Sequence, residues 1–154
     1  MIIFNRTSRR FFLGFAAIVM GSIVIAFIAV YFSPESKQEK YLKTLQEQYA
    51  NDTYGGETPE ETLELFIQAL EEGNVELASK YFVVEKQGEI REELSVGKEN
   101  NNLDFLVEFL EKANRSTRLD ENTHRFTVVE DQVAVMSFDL LLNTQTDKWK
   151  IEEL

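Results

Sequence analysis

The period of the apolar positions changes along this chain. Residues 11–32 carry no charged side chain, a run of 22 residues rich in Ile, Val, Phe and Ala. A helix of that length rises roughly 33 Å, enough to cross the hydrocarbon core of a bilayer with its backbone polar groups satisfied internally. Residues 37–50 are highly charged, and Tyr41, Leu42, Leu45 and Tyr49 recur every three to four positions as a narrow stripe on a polar helix. Ser33-Pro34-Glu35 supplies an N-cap and a first-turn proline for it. Residues 51–57 hold Gly55-Gly56 among polar neighbours and read as a linker ending at a domain boundary.

A second helical period begins at once. Thr58-Pro59-Glu60-Glu61 is a capping box, followed by Leu63, Phe66, Ile67 and Leu70 at i, i+3, i+4 and i+7. Gly73 stops this helix and Asn74 caps the next, whose buried side is Val75, Ala78, Tyr81 and Phe82. Over 83–97 the pattern is weak and predicts a loop with a short helical or extended piece. Asn102 is placed to cap a third helix with the face Leu103, Leu106, Val107 and Leu110, widened by Phe105 and Phe109.

After about Asp120 the period falls to two. Phe126 and Val128 alternate with polar residues over 125–130, and Asp131-Gln132 is a tight connection. A long strand follows over 133–142, with Ala134, Met136, Phe138, Leu140 and Leu142 on one face. A polar turn over 143–147 leads into a last strand that points Trp149 and Ile151 one way and Lys148, Lys150 and Glu152 the other. Three strands are therefore legible. The predicted fold class is α+β: an N-terminal transmembrane helix, then helices packed on a curved antiparallel sheet.

Charge orients this picture. Arg6, Arg9 and Arg10 precede the apolar run, and no acid lies before residue 33. Of 16 bases, 13 remain after Arg10 against all 27 acids, a formal charge of −14. The basic flank predicts a cytoplasmic tail over 1–10 and a membrane span over 11–32. A juxtamembrane stalk and linker over 33–57 and a small domain over 58–154 then follow outside the cytoplasm. So acidic a domain lacks the positive footprint that nucleic acid requires, and it does not suit anionic lipid. The chain has no cysteine, which removes disulfides, thiolate zinc sites, a cysteine nucleophile and a lipoprotein anchor.

The apolar run is longer than a signal-peptide core and ends in Tyr31-Phe32, which suits an aromatic membrane belt, without an Ala-x-Ala triplet before Pro34. An uncleaved anchor is the expectation. Ser8-Arg9-Arg10-Phe11-Phe12-Leu13 resembles the twin-arginine export motif, with Gly14 where lysine is frequent, so export by that route stays open. Small residues recur at helical spacing, Ala17 with Gly21 and Ser22 with Ala26, a pattern that lets membrane helices approach but is common by chance.

From the Thr-Pro-Glu-Glu opening, the Gly73-Asn74 break, the Ala78-x-x-Tyr81-Phe82 helix end and the closing Trp149-Lys150-Ile151 strand, the domain resembles the nuclear-transport-factor-2-like (cystatin-like) superfamily. The likeness is to its small bacterial membrane-anchored members of unknown function, and it covers 58–154. It implies a cone, a curved sheet wrapped around helices with a cavity between them. Enzymes of that superfamily use aspartate or histidine in an apolar pocket, which makes Asp139 and His124 the cavity candidates, with Tyr81 and Trp149 as bordering aromatics. Each also has a plainer reading. His124 is the sole histidine and precedes a strand, Asp139 shares its strand face with Val133, Val135 and Ser137, and aromatics at helical or strand spacing are ordinarily core.

No phosphate loop, metal-ligand spacing or nucleophile–base order is present in the sequence. The acid pairs Glu60-Glu61, Glu71-Glu72 and Glu92-Glu93 are adjacent, so on a helix they do not face one another. The expectation is thus a non-enzymatic, single-pass, extracytoplasmic binding or interaction module, without cofactor or metal, whose partners are the bilayer and an unknown protein or small molecule. The alternative is a small enzyme or ligand carrier using the cone cavity.

Overall fold

A computed structural model describes residues 20, 24, 34–113 and 115–154. The expected cytoplasmic tail over 1–10 and the expected membrane span over 11–32 lie outside the described residues, apart from Met20 and Val24, which are helical. Among the described residues no helix is long and apolar enough to cross a membrane. The chain divides into two compact units, 1–44 and 45–154. In the first, the described part is the opening of α1 (Pro34–Asn51), where Tyr41 and Leu42 are exposed. The second contains the rest of α1 and all other elements described below.

These are α2 (Pro59–Glu71), α3 (Val75–Lys80), α4 (Gln87–Glu99) and α5 (Leu103–Glu111), then β1 (Arg115–Arg118), β2 (Thr123–Glu130), β3 (Val133–Asn143) and β4 (Lys148–Ile151). Among the described residues from Pro34 onward the fold is α+β, with five helices and one antiparallel sheet in the order β1-β2-β3-β4. Local chemistry explains most boundaries. Thr58 Oγ1 accepts from Glu61 N at 3.1 Å, and the Glu61 carboxylate reaches back to Glu57 N at 2.5 Å, one residue before the expected N-cap amide. Gly73, at φ 62, ends α2 in a Schellman turn: Asn74 N donates to Ala69 O and Gly73 N to Leu70 O, both at 2.8 Å. Asn74 Oδ1 then caps α3 through Leu77 N at 3.1 Å.

Three elements depart from the sequence expectation. Residues 83–97 are not mainly loop, because 13 residues from Gln87 to Glu99 form α4. Its buried stripe is as thin as Leu94 with Ile90 half-buried, too sparse to give a helical period. Asn102 makes no side-chain cap on α5. Its backbone instead closes α4, with Asn102 N donating to Gly97 O at 2.9 Å and Asn101, at φ 56, donating to Lys98 O. The fourth strand, β1, is fully exposed and lacks the apolar alternation that marks a strand.

The β2–β3 hairpin is set by Asp131 and Gln132, both left-handed at φ 48 and 69, as a two-residue turn matched to strand twist requires. β2 begins at Thr123, so His124 lies within the strand rather than before it. The helix-facing side of the sheet presents Phe126, Val128, Phe138, Leu140 and Ile151, all buried, to Phe66, Leu70 and Phe82 of the helical layer. Phe66 and Phe82 meet edge to face at 5.2 Å, and Phe126 stacks on Phe138 at 5.7 Å.

The outer edge of β4 is covered on both halves. Val83 N donates to Ile151 O and Ile151 N to Tyr81 O, both at 2.9 Å, a short parallel bridge around Phe82. Trp149 N donates to Gly56 O at 3.1 Å, and Thr62 Oγ1 donates to Trp149 O at 3.1 Å. Gly55-Gly56 is therefore packed against the sheet edge. At Gly55, φ is 117 and a Cβ would sit 2.2 Å from Trp149 O, so only glycine fits. This covering leaves β4 no free ladder for another chain.

Trp149 joins the cluster of Phe66 but is only half-buried at its margin. Phe66→Ala should lower the unfolding free energy by about 3–5 kcal/mol. Trp149→Ala should cost clearly less, and urea unfolding of the two variants checks the order.

Candidate functional site

The four sequence candidates fall in three places. His124 and Trp149 come together on the helix-facing side, ring centroids 6.2 Å apart and edge to face. Glu60 of α2 approaches His124 Nε2 at 3.7 Å, and Ser116 of β1 bonds both, donating to Glu60 Oε1 at 3.0 Å and meeting the same ring nitrogen. A serine–histidine–acid relay requires the acid on the other ring nitrogen from the hydroxyl. Here carboxylate and hydroxyl share one nitrogen, so the group ties β1 and β2 to the start of α2 without arming Ser116.

Asp139 lies on the opposite side of the sheet, paired across strands with Arg125 in a two-pronged contact, Nε to Oδ1 and Nη2 to Oδ2 both at 2.7 Å. The shallow depression beside it, about 370 Å³, is lined by Ser137, Glu152 and Glu153 among others and opens to solvent. A general acid or base is tuned by an apolar pocket; Asp139 has an ion-pair partner on an open strand face instead. Tyr81 ends α3 within the core, and burial followed by the Glu72 charge raises its phenol above the ordinary value.

Lys150 lies on the face of β4 opposite Trp149 and Ile151, as its strand period predicts, yet its side chain is 1% exposed. Its Nζ donates to Lys80 O at 2.6 Å and Tyr54 O at 3.1 Å and pairs with Asp52 Oδ2 at 2.8 Å, so each ammonium proton has an acceptor. Gln87 Nε2 reaches the same carboxylate oxygen at 2.7 Å, and Tyr54 N donates to Oδ1 at 3.1 Å. Burial pulls the Lys150 ammonium below the ordinary lysine value, with Asp52 opposing. A fully satisfied buried pair of this kind holds structure together and offers no free valence for chemistry. Nearby, Tyr49 Oη donates to Glu85 at 2.5 Å while Asn143 Nδ2 donates to Tyr49 O, fastening the end of α1 to the same unit. Burial, then the Glu85 hydrogen bond, drive the Tyr49 phenol well above its usual range.

An unfilled apolar surface lies between α4 and α5. It is a groove of about 310 Å³ with a floor of Phe82, Ile90, Leu94, Leu103 and Leu106 and with Glu93 and Phe105 at its margins. Phe105 is 73% exposed, stacked only on Phe109 of its own helix. The α5 period had Phe105 widening a buried face; at about 3.6 residues per turn it falls roughly 150° from the centre of the Leu103, Leu106, Val107 and Leu110 stripe, which turns it to the outside. Among the described residues no group of three or more histidine, aspartate or glutamate side chains is placed to hold a metal ion. No family model, curated protein or solved structure matches the chain.

Two outcomes follow from the polar anchoring. A fragment of residues 58–154 loses the Asp52 carboxylate, the Tyr54 carbonyl and the Gly56 contact along the edge of β4, so it should be clearly less stable than one of residues 45–154 in urea unfolding. The raised Tyr49 phenol gives stability that is whole below the unfolded value near 10 and lost as pH rises through the folded value. Unfolding midpoints should fall above about pH 10, and Tyr49→Phe should lessen the fall.

Proposed function

We propose that the protein is a single-pass membrane-anchored interaction module, its folded unit on the extracytoplasmic side and without catalytic activity of its own. The observation that carries this reading is the distribution of charge: 22 uncharged residues follow three arginines, and all 27 acids come after them. The helices-on-sheet arrangement agrees with a cone of the nuclear-transport-factor-2-like kind, to which we assign the domain. Within that cone the space an enzyme or carrier would use is occupied by Phe66, Phe82, Phe126 and Phe138. His124 is engaged by Glu60 and Ser116 and Asp139 by Arg125, and the groove beside Phe105 offers an apolar surface to a partner.

The protein should remain at full length in the membrane fraction after carbonate washing. Protease added to spheroplasts should remove the acidic domain. A soluble product beginning near Ser33, or a domain protected while the membrane is intact, would refute the anchor or the orientation respectively.

A further inference from the structure

The groove between α4 and α5 combines an apolar floor with an acidic surround. Glu93 lines it, and the two helices together carry seven acids against two bases. The bases of the same helices are engaged away from it or by acids. Arg91 reaches Glu76 of α3 at 3.5 Å, and Lys98 donates to Gly73 O at 2.7 Å. Lys112 is held between Glu108 and Glu130 at 3.4 and 3.2 Å. An exposed phenylalanine beside an apolar cleft is the anchor geometry of a helix-in-groove contact.

Charge chooses among the possible occupants. An anionic bilayer surface would be repelled by the acidic rim. A second copy would bring the same acids against themselves. A segment with an apolar stripe and flanking Lys or Arg matches both floor and rim. We therefore propose that the α4–α5 groove receives a basic amphipathic helix of a partner protein. With 9 residues, α5 offers a seat about 14 Å long, room for about two and a half helical turns. This names the partner chemistry of the interaction module proposed above. It does not depend on which side of the membrane the module faces.

The test uses the full chain in uncharged detergent and a fluorescent peptide of about 14 Leu and Lys residues in an amphipathic helical pattern. Anisotropy should show binding. A scrambled peptide of the same composition should bind about tenfold more weakly, and a Leu/Glu version should not bind. Phe105→Ala should weaken binding at least about fivefold. Gly97→Leu should do the same by filling the groove: its Cβ lies in ordinary contact, 3.6 Å from Leu103 Cδ2, and an unchanged thermal melt checks that the fold is kept. Val135→Ala, on the exposed face of β3, should change nothing. Equal affinity for the scrambled peptide would reduce the effect to bulk charge and overturn the proposal. Undiminished binding by Phe105→Ala and Gly97→Leu would place the contact elsewhere. A dimer abolished by Phe105→Ala would make a second copy the occupant. Brominated phosphatidylcholine quenching a Phe105→Trp probe, in a Trp149→Phe background, would give the groove to the bilayer. Any of these refutes the groove assignment alone, since anchoring is decided by the carbonate and protease results.

Discussion

Lys150 sits on the side of β4 that faces away from the helices, where a lysine would ordinarily reach water. Here the turn after α1 folds back over the strand and encloses it, and Asp52 supplies the compensating charge. Taking an ammonium and a carboxylate out of water costs several kcal/mol each, so the pair is tolerable only with every proton and lone pair placed. That requirement fixes several segments at once. The carbonyls of Tyr54 and Lys80 must point inward, Gln87 must begin α4 within reach of Asp52, and Gly55 must pass close enough to touch the Trp149 carbonyl. The edge of the sheet, the start of α4 and the end of α1 are thereby held in one arrangement. The net stabilisation of such a pair is modest; the penalty for breaking half of it is large.

This gives 45–57 a different physical character from the one its composition suggests. Charged residues and a Gly-Gly pair make a solvated stalk and flexible linker the natural reading. The folded unit begins at Leu45, and the two glycines serve close approach rather than freedom. A glycine pair reads alike in both cases, because what distinguishes them is a carbonyl 93 residues later in the chain. Asp52 and Lys150 were equally illegible, since burial of an ion pair depends on long-range enclosure and leaves no local period. The capping box at Thr58, the Gly73-Asn74 break, the faces of α2 and α3 and the alternation of β2, β3 and β4 were legible because each is written within a few residues. The helix α4 and the strand β1 were not. One buries a single residue and the other none, so tertiary contacts rather than apolar periodicity hold them in place.

The same contrast separates the candidate residues. His124 and Trp149 could be paired only by the fold, which brings β2 and β4 to the start of α2. Asp139 was correctly set on the face away from Phe138 and Leu140, but its Arg125 partner depends on strand register. The exposed position of Phe105 was hidden by an amphipathic helix whose apolar face is too wide to bury completely. The helix-facing side of the sheet is packed with Phe126 and Phe138 against Phe66 and Phe82, and an apolar groove stays open between α4 and α5.

Asp52 and Lys150 act as one unit in stabilising the fold. A double-mutant cycle of Asp52→Ala, Lys150→Met and the combination, followed by urea unfolding, tests it directly. Each single change should cost about 3–5 kcal/mol. The double change should cost less than the sum by roughly 2 kcal/mol or more, because removing both partners leaves no buried charge unpaired. Strictly additive losses, or singles within about 0.5 kcal/mol of the parent as at ordinary surface sites, would contradict the account.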